Sequence, residues 1–275
     1  MWKYAIVLSY FGSPYCGWQR QKGNAGGSKP SIQGTLEEAL QKITRENPSV
    51  VGSGRTDAGV HALGQVAHFL LREKEWDPQI LHRSLNGLLP SSIQVLHVQS
   101  VAIDFHAQRS ALKKQYSYYF QQGPCAIPHF EPMSWWIRKR LNLEAMRIAL
   151  QTLVGEHDFK PFQASGSKPG STVRAILEAE VTTLPIPFPL SAFSDSFPAQ
   201  NRLELVRVRV MGTGFLKQMV RGIAGTLLQV GEDRRPPQCM SEILETGDRA
   251  QVGPTAPARA LWLERVWYPN SSISL

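Results

Sequence analysis

The sequence predicts an α+β fold, in which helices pack on one face of a mostly antiparallel sheet. One observation is the order of patterns in the N-terminal part, which runs strand, helix, strand, strand, helix, strand. The other is the hydrophobic content of 42% in 275 residues, which is enough to bury one large core or two of medium size. A change of pattern near residues 105–108 predicts two domains, at residues 1–106 and 107–275.

In the N-terminal half, strands are predicted where short segments are apolar or alternate between apolar and polar residues. They cover residues 4–10, 50–51, 65–70 and 93–101. Ile32, Leu36 and Leu40 recur at helical spacing and predict the first helix. The second helix is predicted to begin at Asp77, a good N-cap that is followed by Pro78 at the first helical position.

The C-terminal half is predicted to contain two strands and two helices. The strands cover residues 116–120 and 203–210, and the helices cover residues 142–154 and 216–230. Two further stretches show neither the helical spacing nor the strand alternation of apolar residues. Residues 22–29, rich in glycine and polar residues, predict a mobile loop, and residues 185–198, rich in proline, predict a surface connection.

The charge of the chain favours a polyanionic partner. It contains 30 Lys and Arg against 22 Asp and Glu, a formal net charge of +8 at pH 7, and such a surplus favours nucleic acid or an anionic surface. Cys16, Cys125 and Cys239 are few and far apart, which argues against a disulfide framework and predicts a cytoplasmic protein. The apolar run at residues 4–10 is too short to span a bilayer, so no membrane association is expected.

The most informative segment is the glycine-rich loop between the second and third predicted strands. It places Asp57 two residues after Arg55. A carboxylate on a loop held by rigid strands is a candidate catalytic group, and a neighbouring arginine can hold it ionised or contact a phosphate. The alternative is an Asx-turn with a local ion pair.

Patterns of cofactor and metal binding are not matched by this loop. A dinucleotide fingerprint requires a glycine where Asp57 stands, and the P-loop spacing after Gly54 is followed at residues 60–61 by Val-His in place of Lys and Ser or Thr. His61 and His68 are seven residues apart, which fits no standard helical pair of metal ligands. We therefore expect neither a cofactor nor a metal.

Arg221 lies inside an apolar run at residues 219–225 of the last predicted helix. An arginine buried in such a run requires an anion, because an unpaired buried charge is costly. Asp57 is the candidate partner. The alternatives are that Arg221 reaches solvent or pairs with another acid. Gly222 and Gly225 are expected to let another backbone segment approach this helix closely.

Two basic clusters are candidates for contacts with RNA. Arg207 and Arg209 lie on one face of a predicted strand, where they are placed to line an RNA groove. A solvated basic face is the alternative. Lys113 and Lys114 precede Tyr116, so that basic and aromatic residues interleave as on many RNA-binding surfaces. The alternative there is an ordinary strand.

The octapeptide at residues 54–61, Gly-Arg-Thr-Asp-Ala-Gly-Val-His, resembles the signature of the TruA family of tRNA pseudouridine synthases and matches it residue for residue. Further segments recur in the family's order, so the resemblance covers nearly the whole chain. They are Gly-Trp-Gln-Arg-Gln at 17–21, Phe-His-Ala at 105–107, Tyr-Ser-Tyr at 116–118, Gly-Glu-His-Asp-Phe at 155–159, Thr-Val-Arg at 172–174, Met-Val-Arg at 219–221 and Thr-Ala-Pro-Ala at 255–258.

This resemblance implies an isomerase that converts uridine to pseudouridine at positions 38 to 40 in the anticodon stem-loop of tRNA. It implies two similar α+β domains whose sheets join around a basic central cleft, with the helices on the outer face. It also implies a homodimer in which one tRNA touches both subunits, with no metal and no cofactor. From the residues alone, two other classes stay open: a non-catalytic RNA-binding protein and an acid-dependent hydrolase.

The resemblance also implies roles for single residues. Asp57 matches the catalytic aspartate that attacks or deprotonates the nucleoside, and Arg221 is its expected active-site partner. Arg55 is expected to help extrude the target nucleotide and to occupy the vacated space. Tyr116 is expected to stack on the flipped uracil and is a candidate proton acceptor. The two histidines near the loop are expected to form hydrogen bonds that shape it, without a catalytic role.

Trp18 and Gln19 match family residues near the RNA-binding cleft and are expected to contact the substrate. Departures from the family pattern also occur. Phe11 stands where many members have aspartate, Gln108 follows Phe-His-Ala where arginine is common, and the loop at residues 22–29 is longer than usual. These departures concern substrate contacts and not the residues expected to carry out the reaction.

Overall fold

The computed structural model of this chain describes residues 1–20, 29–166, 170–186, 191, 197–198, 203–269 and 273. The mobile loop predicted at residues 22–29 therefore lies, apart from Lys29, outside the described residues. Most of the surface connection predicted at residues 185–198 lies outside them as well.

Within the described residues the structure contains ten strands and five α-helices, so the predicted α+β class is confirmed. The strands are β1 (Trp2–Tyr10), β2 (Val51–Gly52), β3 (His61–Leu71), β4 (Ile93–Val101), β5 (Lys113–Gln122), β6 (Trp135–Ile137), β7 (Gly155–Asp158), β8 (Val173–Leu184), β9 (Glu204–Gly212) and β10 (Leu261–Trp267). The helices are α1 (Ile32–Thr44), α2 (Pro78–Leu88), α3 (Leu143–Gln151), α4 (Met219–Gly231) and α5 (Cys239–Thr246). In these ranges no helix has the length and apolar character needed to cross a membrane.

The chain divides into two compact units. The first combines residues 1–114 with residues 262–275, and the second contains residues 115–261. Most of β10 thus belongs to the first unit, a long-range association that no local pattern shows. The two domains predicted at residues 1–106 and 107–275 remain a prediction, because compactness in space does not show which segments fold independently.

In the first unit, β4, β1, β3 and β10 are neighbours in that order. β1 pairs antiparallel with both β3 and β4, β2 pairs antiparallel with β3, and β10 runs parallel to β3. The mostly antiparallel sheet predicted for this part is therefore confirmed. The predicted order of elements is also confirmed, since β1, α1, β2, β3, α2 and β4 follow one another along the chain.

Both helices of the first unit begin at residues that satisfy free backbone N–H groups. The Ser31 hydroxyl accepts the Gly34 N–H at 3.0 Å, and the Asp77 carboxylate accepts the Gln79 N–H at 2.6 Å. The predicted start of α2 at Asp77, with Pro78 in the first turn, is thus confirmed. α2 packs against β4 and α1, which encloses the core of this unit.

In the second unit, β5, β9, β8 and β7 are neighbours in that order, and β6 pairs with β5. β8 pairs antiparallel with both β7 and β9. α3 packs against β8 and α4 and buries Met146 and Leu150. On β9, Val206, Val208 and Val210 are buried, as expected for one face of an alternating strand. The four elements predicted for this part are found as β5, α3, β9 and α4.

Candidate active site

The loop that carries Asp57 covers residues 53–60, between β2 and β3. The Asp57 carbonyl accepts the Val60 N–H at 3.1 Å, which closes a four-residue β-turn with Asp57 at its first position. Gly59, the third residue of the turn, has a φ of 80°, and glycine is the residue that adopts this conformation without strain. The backbone around Asp57 is therefore held in a defined turn.

The connection between β1 and α1 packs against this turn. The Trp18 N–H donates to the Thr56 carbonyl at 3.0 Å. Gly17 has a φ of 109°, and a Cβ atom at this position would lie 2.8 Å from the Thr56 carbonyl oxygen and 3.0 Å from the Ala58 nitrogen. Any side chain at Gly17 would thus displace the backbone on both sides of Asp57.

Two buried polar side chains of the strands also hold the loop, and no sequence pattern indicated them. The Tyr10 hydroxyl lies 2.8 Å from the Thr56 hydroxyl. The Gln65 side-chain amide accepts from the Ser53 hydroxyl at 2.7 Å and donates to the Gly54 carbonyl at 2.9 Å. Burial raises the pKa of Tyr10 to about 12, so the hydroxyl stays neutral and serves as a hydrogen-bonding group.

Lys114, which was predicted to contact RNA, reaches the start of this loop. Its ammonium donates to the Ser53 carbonyl at 2.6 Å. Burial lowers the pKa of Lys114 to about 8, since desolvation disfavours the charged form. Lys114 therefore contacts the Asp57 loop, and its contact with RNA remains a prediction.

We expect Lys114→Met to change how stability depends on pH. The pKa of Lys114 in the folded protein is about 8, below the usual 10.5, so between these pH values the unfolded chain binds more protons than the folded one. As the pH rises through this window, the free energy of unfolding of the wild-type protein should therefore increase relative to that of the variant. Below this window the wild-type protein is destabilised by the full cost of burying the charged ammonium. Urea unfolding of both proteins at several pH values measures the difference.

Lys113→Met is the control for this experiment, because it removes the neighbouring lysine of the same strand. If the stability of the Lys114→Met protein followed the wild-type profile in parallel from pH 8 to 10.5, the buried position of the Lys114 ammonium would be contradicted.

Arg55 and Asp57 differ in exposure. Asp57 is half-buried, whereas Arg55 is exposed. Among the residues that the structure describes, the Arg55 guanidinium forms no salt bridge, so the alternative of a local ion pair with Asp57 is not observed. The guanidinium is accessible to an anion from solution.

Trp18 and Gln19, which were predicted to contact the substrate, are engaged within the first unit. The Trp18 side chain is only 2% exposed, and its ring centroid lies 6.2 Å from that of Tyr10. The Gln19 amide donates to the side-chain oxygen of Gln33 on α1. Both residues brace the connection between β1 and α1. A contact of Trp18 with RNA would require this connection to open, and both substrate contacts remain predictions.

The two histidines near the loop accept backbone hydrogen bonds from residues outside it, so the loop-shaping role expected for them remains a prediction. His61 is fully buried, and its Nδ1 accepts the Gly12 N–H at 3.0 Å. His68 Nδ1 accepts the Ala107 N–H at 3.1 Å, and burial, followed by nearby basic groups, lowers the pKa of His68 to about 4. Phe11 packs on His61 with ring centroids 4.7 Å apart. In the described part of the chain, no three His, Cys, Asp or Glu side chains are grouped to hold a metal ion.

Two of the predicted catalytic residues, Tyr116 and Arg221, lie in the second unit. Tyr116 on β5 is 8% exposed, and its ring meets that of Phe215 edge to face at a centroid distance of 5.0 Å. Arg221, in the first turn of α4, is half-buried, which is less than its apolar neighbours suggested. Its Nε donates to the Ala256 carbonyl at 2.8 Å, and the Ala256 N–H donates to the Arg221 carbonyl at 3.1 Å. The pairing of Arg221 with Asp57 remains a prediction.

Arg207 and Arg209 on β9 form ion pairs with the neighbouring strand β8. The guanidinium of Arg209 lies 3.0 Å from Glu180 Oε2 and 3.4 Å from Glu178 Oε2. The guanidinium of Arg207 lies 3.7 Å from Glu180 Oε2. The two arginines therefore carry less uncompensated charge than the sequence suggested, and their place in an RNA groove remains a prediction.

The loop combines a half-buried carboxylate in a defined turn with an exposed arginine. Loops on rigid strands often carry catalytic groups, and arginine suits the binding of phosphate. A family model for tRNA pseudouridine synthase matches this chain over residues 6–108 and 149–269. The chain therefore belongs to the tRNA pseudouridine synthases, a family of isomerases.

Individual relatives match the chain along nearly its whole length. The tRNA pseudouridine synthase A of Syntrophotalea carbinolica is 40% identical over 264 residues, which cover 96% of this chain and 95% of the relative. That of Chlamydia muridarum is 39% identical over 270 residues, which cover 98% and 92%. That of Agrobacterium fabrum is 36% identical over 273 residues, which cover 98% and 93%. The resemblance to the TruA family is thus confirmed.

Proposed function

We propose that this chain converts uridine to pseudouridine at positions 38 to 40 in the anticodon stem-loop of tRNA, with Asp57 as catalytic nucleophile or base. The observation that carries the proposal is the position of Asp57, a half-buried carboxylate in a turn held by Tyr10, Gly17 and Gln65. A carboxylate held in this way meets its substrate in a defined geometry. Such orientation of a catalytic group can supply much of the rate acceleration of an enzyme. Membership in the family supports the reaction class.

The chemistry of this reaction is consistent with one carboxylate and no redox cofactor. The N1–C1′ glycosidic bond of uridine breaks, the uracil turns, and a C5–C1′ bond forms. C5 loses its proton and N1 gains one, so substrate and product are isomers and no electrons are exchanged. Asp57 would begin this sequence either by attacking the nucleoside or by taking a proton from the sugar.

Arg55, Tyr116 and Arg221 complete the proposed catalytic set. A base within a helix must leave the stack before its glycosidic bond is accessible. Arg55 is exposed on the same loop as Asp57, from which it would help to extrude the nucleotide and fill the space that the base leaves. Tyr116 would stack on the flipped uracil and accept the C5 proton. Arg221 would keep Asp57 ionised.

The proposal also includes the partner and the assembly. The formal net charge of +8 favours the binding of polyanionic tRNA. The family resemblance supports two similar domains around a basic cleft, a homodimer that binds one tRNA across both subunits, and a cytoplasmic location. The proposed substrate contacts besides Arg55 and Tyr116 are Trp18, Gln19, Lys113, Lys114, Arg207 and Arg209.

Incubation of purified wild-type protein with unmodified tRNA transcripts tests the proposal. Pseudouridine is mapped by carbodiimide labelling and primer extension, and we expect stops that assign pseudouridine to positions 38 to 40, without release of free uracil. Stops elsewhere in the tRNA would overturn the proposed target site. Release of free uracil would indicate a hydrolase. Binding without modification across a panel of transcripts would indicate an RNA-binding protein.

A further inference from the structure

Two basic side chains converge on one tryptophan at the end of β10. The Lys113 ammonium lies 5.1 Å from the centroid of the Trp267 ring, and the Arg265 guanidinium carbon lies 5.3 Å from the same centroid. The Leu112 N–H donates to the Trp267 carbonyl at 2.8 Å, so the backbone next to Lys113 is fixed beside this tryptophan. We call Lys113, Arg265 and Trp267 the Trp267 patch.

The part of the chain that the structure describes provides no acidic partner to neutralise the two cations of the Trp267 patch. Within the described ranges, neither Lys113 nor Arg265 forms a salt bridge. Arg265 is exposed, and Lys113 and Trp267 are half-buried. Glu264 adjoins Arg265 in sequence, but successive residues of a strand point to opposite faces. Like charges held near one ring repel each other, and a polyanion that contacts both would relieve this repulsion.

A single cation over a tryptophan is an ordinary surface feature, since cation–π pairs occur about once per 70 to 80 residues. Lys74 and Trp76 form such a pair, with the ammonium 4.1 Å from the ring centroid. Glu73 and Glu75 flank Lys74 in the sequence, so its charge is offset locally. The Trp267 patch differs because two cations share one ring.

The Trp267 patch lies apart from the contact that Lys114 makes with the Asp57 loop. Lys113 and Lys114 are successive residues of β5 and therefore point to opposite faces of the strand. Lys114 reaches the Ser53 carbonyl at 2.6 Å, whereas Lys113 packs over Trp267. The two lysines that the sequence presents as one basic cluster thus belong to two different surfaces.

We infer that the Trp267 patch is a second contact site for tRNA, at which Lys113 and Arg265 bind phosphates of the RNA backbone and the Trp267 ring holds both side chains in place. The inference rests on the proposed function, since it takes tRNA as the substrate. Contacts to phosphates position a nucleic acid without reading its sequence. A site of this kind would orient the tRNA while a different surface, the Asp57 loop, acts on the target nucleotide.

The double variant Lys113→Ala/Arg265→Ala tests this inference. The affinity for an unmodified tRNA transcript is measured by filter binding at a series of salt concentrations. Each lost phosphate contact lowers the slope of log K against log salt by about 1, so the slope of the double variant should be shallower than that of the wild type by about 2. Trp267→Leu keeps both charges and should weaken binding with a smaller change of slope.

The double variant Lys42→Ala/Lys74→Ala is the matched control, because it removes two exposed lysines of the first unit and lowers the net charge equally. Its slope should equal that of the wild type. The inference is overturned if the Lys113→Ala/Arg265→Ala variant keeps the wild-type slope, or if the control loses as much slope as that variant does. Circular dichroism melts show that each variant is folded.

Pseudouridine formation by the wild-type protein on the same transcript separates two kinds of failure. If the wild type is active and the slope of the Lys113→Ala/Arg265→Ala variant is unchanged, only the inference about the Trp267 patch fails. If the wild type neither binds nor modifies tRNA, the proposed function fails, and the inference fails with it.

Discussion

Replacement of Asp57 by asparagine is expected to lower the rate of pseudouridine formation at least about 10²-fold while tRNA binding persists. Asparagine has nearly the shape of aspartate and suits the first position of the turn that the Val60 N–H closes. Its amide is neither a nucleophile nor a base at neutral pH. A general base typically contributes about 10²- to 10⁴-fold, so complete loss of activity would favour a nucleophilic role. Single-turnover assays and filter binding measure the two quantities.

Asp77→Asn is the matched control for this experiment. Asp77 is an exposed acid of the same unit, and its carboxylate caps α2. Asparagine caps helices about as well as aspartate, so this variant should keep both stability and activity. A folded Asp57→Asn protein with the wild-type rate would contradict the catalytic role of Asp57.

The first unit could largely be predicted from sequence because its signals are local. Asp77 and Pro78 mark the start of α2 within two residues. The continuous apolar run of β1 and the apolar alternation at the start of β4 are also visible in the sequence. β3 is longer than predicted and begins at His61. Its first residues contain small side chains with little strand preference, and they become strand through pairing, for example of Ala62 with Tyr10.

The strands β8 and β10 were not predicted, and their pairing explains why. β8 shifts its register against β9 between Ile176 and Glu178, which interrupts the period of two. Val173 and Leu177 of β8 are 43% and 45% exposed, so its apolar residues do not mark one buried face. β10 pairs with β3 through Trp262 and His61, a contact between residues far apart in the chain that no local window contains.

In the Asp57 loop, the sequence predicted the residues that stand in one continuous motif, but not the residues that hold the loop in place. Asp57 and Arg55 stand in one octapeptide, whereas the groups that hold their loop are single polar residues in apolar strands. Tyr10 and Thr56 are 46 positions apart and meet only in the folded chain. The ion pair of Arg209 with Glu180 likewise depends on the register of β8 against β9.

The replacement of Gly225 by alanine is expected to lower the free energy of unfolding by about 1 to 3 kcal/mol. Gly225 lies in α4, where a Cβ atom would be 1.7 Å from the Pro254 carbonyl oxygen and 3.5 Å from the Ala256 nitrogen. Because the nearest atom belongs to the backbone, a rotamer change cannot relieve the clash. The displaced segment includes Ala256, which exchanges two hydrogen bonds with Arg221, so the rate of pseudouridine formation should fall as well.

Gly222→Ala in the same helix is the matched control and should have the opposite effect on stability. Its Cβ atom would lie 3.4 Å from Phe162 Cδ1 and 3.5 Å from Val252 Cγ1, which are ordinary van der Waals contacts. Alanine is favoured over glycine inside a helix by roughly 0.5 to 1 kcal/mol, so Gly222→Ala should equal or exceed the wild-type stability. Urea unfolding of the two variants and the wild type measures these differences in stability. Equal stabilities for Gly225→Ala and Gly222→Ala would show that α4 is not packed against the Pro254 backbone, and the close approach expected at Gly225 would then be wrong.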